Sequence, residues 1–410
     1  MNTRFLGNLH SLLFGGKFLL NRNVKIIFVA GLLSAFILGI FDLLFPFYLR
    51  YRGISLVEMG LIFTISTIAI AFLRIMLGEY ADVYGRRNVY LSSCILGTAA
   101  KMLFPFSIGK FQILLNKFLN DLQDNLRLSV HNIMLFENDK ENYAKFFSWF
   151  TAANFIFQAA GTACFAALFA YLGYLNLFFL LSGIEAAKLL LMLLYRDKDG
   201  RKEKRRPSLR EAYSFKINRR LKILALSSAI GAFGFGIAHG FLLPLYFSEK
   251  YGLDAAQISA ITAIHRLCFL TTPLAGNIIK RLGLRRTYII STFAYAFSFL
   301  TVGLVTFPIL IFLPIFLIHD LIGGGIRMTA LSVIVQNSTM EETRGREINT
   351  FNAVQIPLTI LAPSIAGALA SISWDLIFVA GGLLYIISLM IFCFFFKDET
   401  PENLQKKKEM

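Results

Sequence analysis

The chain has 410 residues, 56% of them hydrophobic and only 16% charged, with 42 Phe against 15 Tyr and 2 Trp. A soluble domain carries about a quarter charged residues, so this composition excludes a water-coated globule and places the chain in a bilayer. The formal charge of +16 does not point to nucleic acid, because the basic residues sit in short loops between apolar runs, where they set topology.

Crossing the hydrocarbon takes about 20 mostly apolar residues. Runs of that kind are predicted at 24–49, 56–78, 88–107, 110–136, 145–171 and 175–195. They resume at 220–247, 256–279, 287–307, 309–337, 348–372 and 375–396. The fourth run is the most polar, and only the repeat described below justifies counting it. No small-residue cleavage site follows the first run, which is expected to stay in the membrane. The fold class is therefore all-α and polytopic, with segment 1–23, a bundle over 24–195, a basic linker over 196–219, a bundle over 220–396 and a tail over 397–410. Ser208 and Glu211 in the linker have capping-box spacing and predict a short helix.

Arg4, Lys17, Arg22 and Lys25 precede the first run, and residues 196–222 hold twelve basic side chains. The stretch 280–286 adds four, whereas the loops of opposite parity offer Arg50, Arg52, Lys110 and Lys250. Both termini and the central loop are thus expected on the cytoplasmic side of an inner or plasma membrane. Cys94, Cys164, Cys268 and Cys393 lie inside apolar runs without metal or redox spacing and read as apolar fillers.

The two halves repeat. Phe45-Pro46-Phe47-Tyr48 returns as Leu243-Pro244-Leu245-Tyr246, 198 positions later, and Gly78, Gly85 and Arg87 return at Gly276, Gly283 and Arg285. Asp121 and Arg127 have counterparts in Asp320 and Arg327. Six runs are an even number, so the repeats run in the same direction, which predicts pseudo-symmetric bundles about an axis along the membrane normal and a site between them.

The loop after the second run reads Gly78-Glu79-Tyr80-Ala81-Asp82-Val83-Tyr84-Gly85-Arg86-Arg87. Two glycines bracket an acid that can sit on a helix N-terminus, and the arginines can pair with acids of another loop. Such contacts would hold one side of a two-state protein shut. A plain topogenic loop would explain the arginines but neither the glycine spacing nor Asp82.

This loop and the 6+6 repeat resemble the major facilitator superfamily, whose signature is G-x-L-A-D-[RK]-x-G-R-[RK]. Tyr80 and Val83 depart from it, and Lys280 replaces the acid in the second copy. The resemblance implies a cytoplasmic gate at Gly78, Asp82, Gly85, Arg86, Arg87, Gly276, Gly283 and Arg285, and a cavity lined by the first, fourth, seventh and tenth helices. The fourth helix carries Lys117, Asp121, Asp124, Arg127 and His131 at helical spacing. Ionisable groups at membrane depth normally face water or one another, so this stripe is read as cavity lining, with Lys117–Asp121 and Asp124–Arg127 as local pairs on the alternative reading. Lys117-Phe118-Leu119-Asn120-Asp121 falls on the family's R-x-x-Q-G motif with three changes. The tenth helix brings His319, Asp320, the triplet Gly323-Gly324-Gly325, and Arg327.

Asp42 is a lone carboxylate in the first run, either a proton carrier or the fixed partner of Arg266 or Lys117. His239 and His265 are cavity or packing residues. Lys101, Glu185 and Lys188 read as snorkelling or locally paired. The exporter pattern G-P-x-x-G-G is absent from the fifth helix, which has Ala160-Gly161-Thr162-Ala163-Cys164. It survives only as Ala362-Pro363-Ser364-Ile365-Ala366-Gly367 on the eleventh.

The resemblance implies a secondary active transporter, proton-coupled, for a small charged, polar or amphipathic organic solute. Export of drugs or flipping of lysolipids is the alternative, and a non-transporting sensor or scaffold the alternative of another class. No G-x-x-x-x-G-K-[ST] loop exists to bind ATP, and no Ser/His pair or metal cluster recurs at usable spacing, so no enzyme, cofactor or metal is expected. Partners are the solute, protons and membrane lipids, with no nucleic acid, and the chain is expected to be a monomer.

Overall fold

A computed structural model describes residues 21–138, 143–196, 218–339 and 344–396, and among these the side chains outside 74–83, 143–149, 344–346 and 349. The described regular structure is helical. Among the described residues, ten helical stretches are long and apolar enough to cross a membrane. One of them, Phe150–Leu193, holds two spans, because Gly173 breaks the helix Tyr143–Leu193 with φ 67° and ψ −174°. Lys110–Asn138 has the length but too many polar residues to pass on hydropathy, which brings the total to twelve.

We number the spans α1 (Arg22–Tyr51), α2 (Leu56–Tyr84), α3 (Arg86–Leu103), α4 (Lys110–Asn138), α5 (143–172) and α6 (174–193). The second half has α7 (Arg219–Ala238, resuming as Leu243–Tyr251) and α8 (Ala255–Leu267, a 3-10 stretch Cys268–Leu274, then Ala275–Leu282). It continues with α9 (Leu284–Leu304) and α10 (Ile309–Ile318, a π-helical turn His319–Gly324, then Gly325–Asn337). α11 (Arg344–Ile372) and α12 (Asp375–Phe395) complete it. The predicted linker helix at Ser208–Glu211 lies outside the described residues.

The repeat is structural down to its turns. Gly53 and Gly252, and again Gly85 and Gly283, take the left-handed φ that glycine alone adopts at no steric cost. Ser55 with Glu58, and Asp254 with Gln257, close reciprocal capping boxes that start α2 and α8. Tyr48 and Tyr246 are fully buried in matching aromatic nests, Phe104, Tyr174 and Phe178 around one and Phe312, Trp374 and Phe378 around the other. Within each half the first helix packs on the last two, and the second packs on the fourth.

Candidate solute cavity and its polar network

The halves join through α2 with α11 and α5 with α8. At Gly60 an added Cβ would sit 2.5 Å from the Pro363 carbonyl oxygen, and at Gly367 it would sit 2.4 Å from that of Leu56. Backbones this close need glycine on both sides. Ser364 donates to Thr64 across the same seam at 2.7 Å. Phe63 stacks on Phe241 at 4.1 Å, and the half-exposed pair Arg50–Glu249 closes at 2.8 Å. A single apolar core runs through both halves at this end, through Tyr48, Met59, Leu245 and Ala366. At the end that carries Gly85 and Gly283 each half has a core of its own, one around Val24, Tyr90 and Leu135, the other around Leu221, Tyr288 and Phe392. Among the described residues the apolar packing is joined across the halves at one end and parted at the other.

Between the halves lies a cavity of about 540 Å³, within the range of small-molecule sites. Its wall mixes phenylalanines (Phe41, Phe45, Phe63, Phe155, Phe235, Phe241, Phe269) with Asp42, Lys117, Asp121, Asp124, His239, His265 and Arg266. Arg266 of α8 spans it, donating to Asp42 of α1 at 2.5 Å and to Oε1 of Gln158 on α5. Pro46 has no N–H to give the Asp42 carbonyl one turn back, so the backbone beside this carboxylate is also released from the helix ladder. Of the two readings of Asp42, the structure forms the pair with Arg266.

The polar stripe of α4 divides between two faces. Lys117, Asp121 and Asp124 line the cavity, with Lys117 to Asp121 at 2.5 Å, Ser66 donating to Asp121 at 2.5 Å and the Lys117 ammonium 4.5 Å from the Phe63 ring. Asn120 joins them in the wall, whereas Arg127, which reaches back to Asp124 at 3.2 Å, lies off it with Gln123 and His131, so the expected cavity lining stops at Asp124. Behind this face Lys101, Glu185 and Lys188 form one fully buried cluster. Lys101 contacts Glu185 at 3.2 Å and Asn120 at 3.1 Å, and Lys188 contacts Glu185 and donates to Ser34 at 3.0 Å. These residues do not snorkel. They are core.

In the second half His319, Asp320 and Arg327 do not line the cavity either. Arg327 lies 5.5–5.9 Å from the ring centres of Tyr288, Tyr295 and Tyr385. His319 and Asp320 are sealed from solvent and meet the wall residues His239 and His265. The side-chain donor atoms of these four lie within 4.8 Å of one another, on three helices. The expectation of no metal cluster rests on spacing along the chain, which does not show that these four residues converge. The signal was present, since three of the five histidines fall inside second-half apolar runs.

At the parted end the expected loop over 78–87 is helical as far as Tyr84, and the chain turns at Gly85 with φ 83° before α3 begins at Arg86. Gly78 and the Asp82 side chain lie outside the described residues. Gly276 and Gly283 meet nothing within 4 Å of an added Cβ. The arginines serve their own half. Arg86 pairs with Glu137 at the end of α4, and Arg87 donates to the Leu193 carbonyl at 2.9 Å. Arg285 repeats this on the Phe396 and Cys393 carbonyls at 2.7 and 3.1 Å. Each caps the C-terminal carbonyls of α6 or α12, where a cation is favoured.

The family model described as Major Facilitator Superfamily matches residues 27–264 and 224–410. No curated protein matches the chain. Among solved structures, a variant of the nucleoside transporter NupG superposes with a TM-score of 0.79 at 13% identity, over 92% of this chain and 100% of that one. A bacterial homologue of the iron transporter ferroportin, in an inward-facing state, gives 0.74 at 17%, over 91% and 98%. The human organic anion transporter MFSD10 gives 0.63 at 16%, over 90% and 98%. At such identities these likenesses speak for the fold, and the family match extends across nearly the whole chain. The chain belongs to the major facilitator superfamily.

Proposed function

We propose that this protein is a proton-driven secondary transporter that carries a small charged or polar organic solute through the central cavity by alternating access. The observation that carries the reading is the bridge from Arg266 to Asp42 and Gln158. It is a charged tie between the halves, at mid-depth, in the cavity wall. A proton arriving on Asp42 removes the negative partner of Arg266, and a solute anion can take its place, so proton and solute act on one bond that resists separation of the halves. The basic loops favour a cytoplasmic parted end, and on that reading the arrangement is inward-facing.

The phenylalanines of the wall favour a solute with an aromatic or acyl part, and they keep the drug or lysolipid reading in play as the second. The neighbours transport a nucleoside, iron and an organic anion by their names, so the test spans those classes and lysolipids. In vesicles holding the purified protein, an imposed pH gradient is expected to drive uptake of at least one solute class. Asp42→Asn should then leave exchange of that solute intact while abolishing accumulation. Flux indifferent to pH, or accumulation unchanged in Asp42→Asn, would overturn the coupling.

A further inference from the structure

We propose that His239, His265, His319 and Asp320 bind a divalent first-row transition-metal ion in the wall of the cavity. Three imidazoles and one carboxylate converge from α7, α8 and α10, with every donor atom within 4.8 Å of the others. That is a donor set and number suited to zinc and its neighbours in the series.

The contacts among the four are poor without a cation. Nε2 of His239 and Nε2 of His265 stand 2.6 Å apart, and the latter also touches Oδ2 of Asp320. A neutral imidazole nitrogen has one in-plane site, a proton or a lone pair, and serves at most one of these contacts well. Nε2 of His319 lies 3.4 Å from the other Asp320 oxygen, and His319 Nε2 and both carboxylate oxygens make no properly angled hydrogen bond. His265, His319 and Asp320 are all more than nine-tenths buried. Polar atoms sealed in this way are rare without a partner that completes them. A cation at their centre completes all of them at once.

Two further features point the same way. His319 Nδ1 faces the Phe316 carbonyl, which fixes the proton on Nδ1 and turns the Nε2 lone pair inward, as outer partners of metal-bound histidines do. Each contributing helix also leaves α-geometry at its ligand or within three residues of it. α7 breaks after Ala238, α8 tightens into its 3-10 stretch after Leu267, and α10 opens into a π-turn that begins at His319. The wider turn lets the adjacent His319 and Asp320 face one point. Such local departures gather at functional sites. The site does not depend on the identity of the organic solute, and His239 and His265 give the ion its route in from the cavity.

The full-length protein in detergent, stripped with chelator and reloaded with Zn²⁺, is expected to retain one ion per chain after gel filtration. Loaded with Co²⁺ it should show the intense visible bands of a four-coordinate site. His319→Gln and Asp320→Asn should each weaken binding by about 10- to 100-fold or more, while His131→Gln, a buried histidine of the other half, should bind as the parent does. If a variant does not elute as a monodisperse peak, X-ray absorption at the zinc edge of the unmodified protein decides, with imidazole scattering expected. Failure of the parent to retain zinc, unchanged affinity in both ligand variants, or an all-oxygen zinc environment would each overturn the site.

Discussion

The two halves share a backbone plan and treat their buried charges in opposite ways. In the first half Asp121 has Lys117 one turn before it, and Arg127 has Asp124 three residues before it, so α4 neutralises itself at i,i+4 and i,i+3 spacing. In the second half the residue four before Asp320 is Phe316 and the residue three before Arg327 is Gly324. The same two repeat positions must therefore find partners on other helices. Asp320 meets His265 of α8, and Arg327 sits among tyrosines of α9 and α12. A charge that finds its partner locally can face a water-filled cavity. Asp320 and Arg327, which lack one, are drawn into the bundle instead.

The sharpest way to break that comparison is to remove a partner in each half. Glu185 holds two buried lysines, and Glu185→Gln leaves both without a carboxylate, so a loss of about 3–5 kcal/mol is expected. Thermal unfolding, followed by a dye that reacts with Cys94 and Cys268 as they leave the core, should show it, and adding Lys188→Met should recover part of the loss. Arg327 makes no ion pair among the described residues, and its cation–π contacts offset its desolvation only in part. Arg327→Met is therefore expected to stay within about 2 kcal/mol of the parent. An Arg327→Met loss as large as that of Glu185→Gln would mean that the second half relies on its charges as the first does.

A smaller effect is expected at the seam. Gly60→Val places methyl groups against the Pro363 carbonyl and overpacks the joined end by about 1–3 kcal/mol. That end should then open more often, by about 5- to 150-fold. A cysteine at Ser364 should react faster with an impermeant thiol reagent added from the side of Tyr51. An unchanged rate would show that α2 and α11 do not form the closing surface.

How much of this was legible follows from where the partners lie. The helices, the repeat and the matched glycines Gly85 and Gly283 are local, and the polar stripe of α4 already contained its own pairs. Lys101 with Glu185 and Lys188, and Arg266 with Asp42, link residues 84 to 224 apart in the chain, and spacing cannot express them. The same is true of His239, His265, His319 and Asp320, which as single residues read as cavity or packing residues and not as one cluster. The arginines after Gly85 and Gly283 were read for their charge as a latch between loops. Arg86 does meet an acid, Glu137, while Arg87 and Arg285 also reach carbonyl groups at helix ends, which any sequence offers and none advertises.

The weakest cross-half tie should be the outermost one. Arg50 and Glu249 meet at 2.8 Å, but both side chains are about a third or more exposed, so water competes for each and salt screens the pair. Pairs of this kind contribute about 0–1 kcal/mol, which limits Arg50→Ala to a shift of less than about fivefold in how often the joined end opens. The Ser364 cysteine assay reads this on the scale set by Gly60→Val, and the Arg50→Ala effect should shrink further when ionic strength is raised. The Arg266–Asp42 tie has a carboxylate just as exposed but a more buried guanidinium, so its salt sensitivity should be only somewhat smaller. If Arg50→Ala instead opens the joined end as much as Gly60→Val does, then charge rather than close backbone packing closes that end. The two-glycine seam would then be a consequence of closure and not its cause.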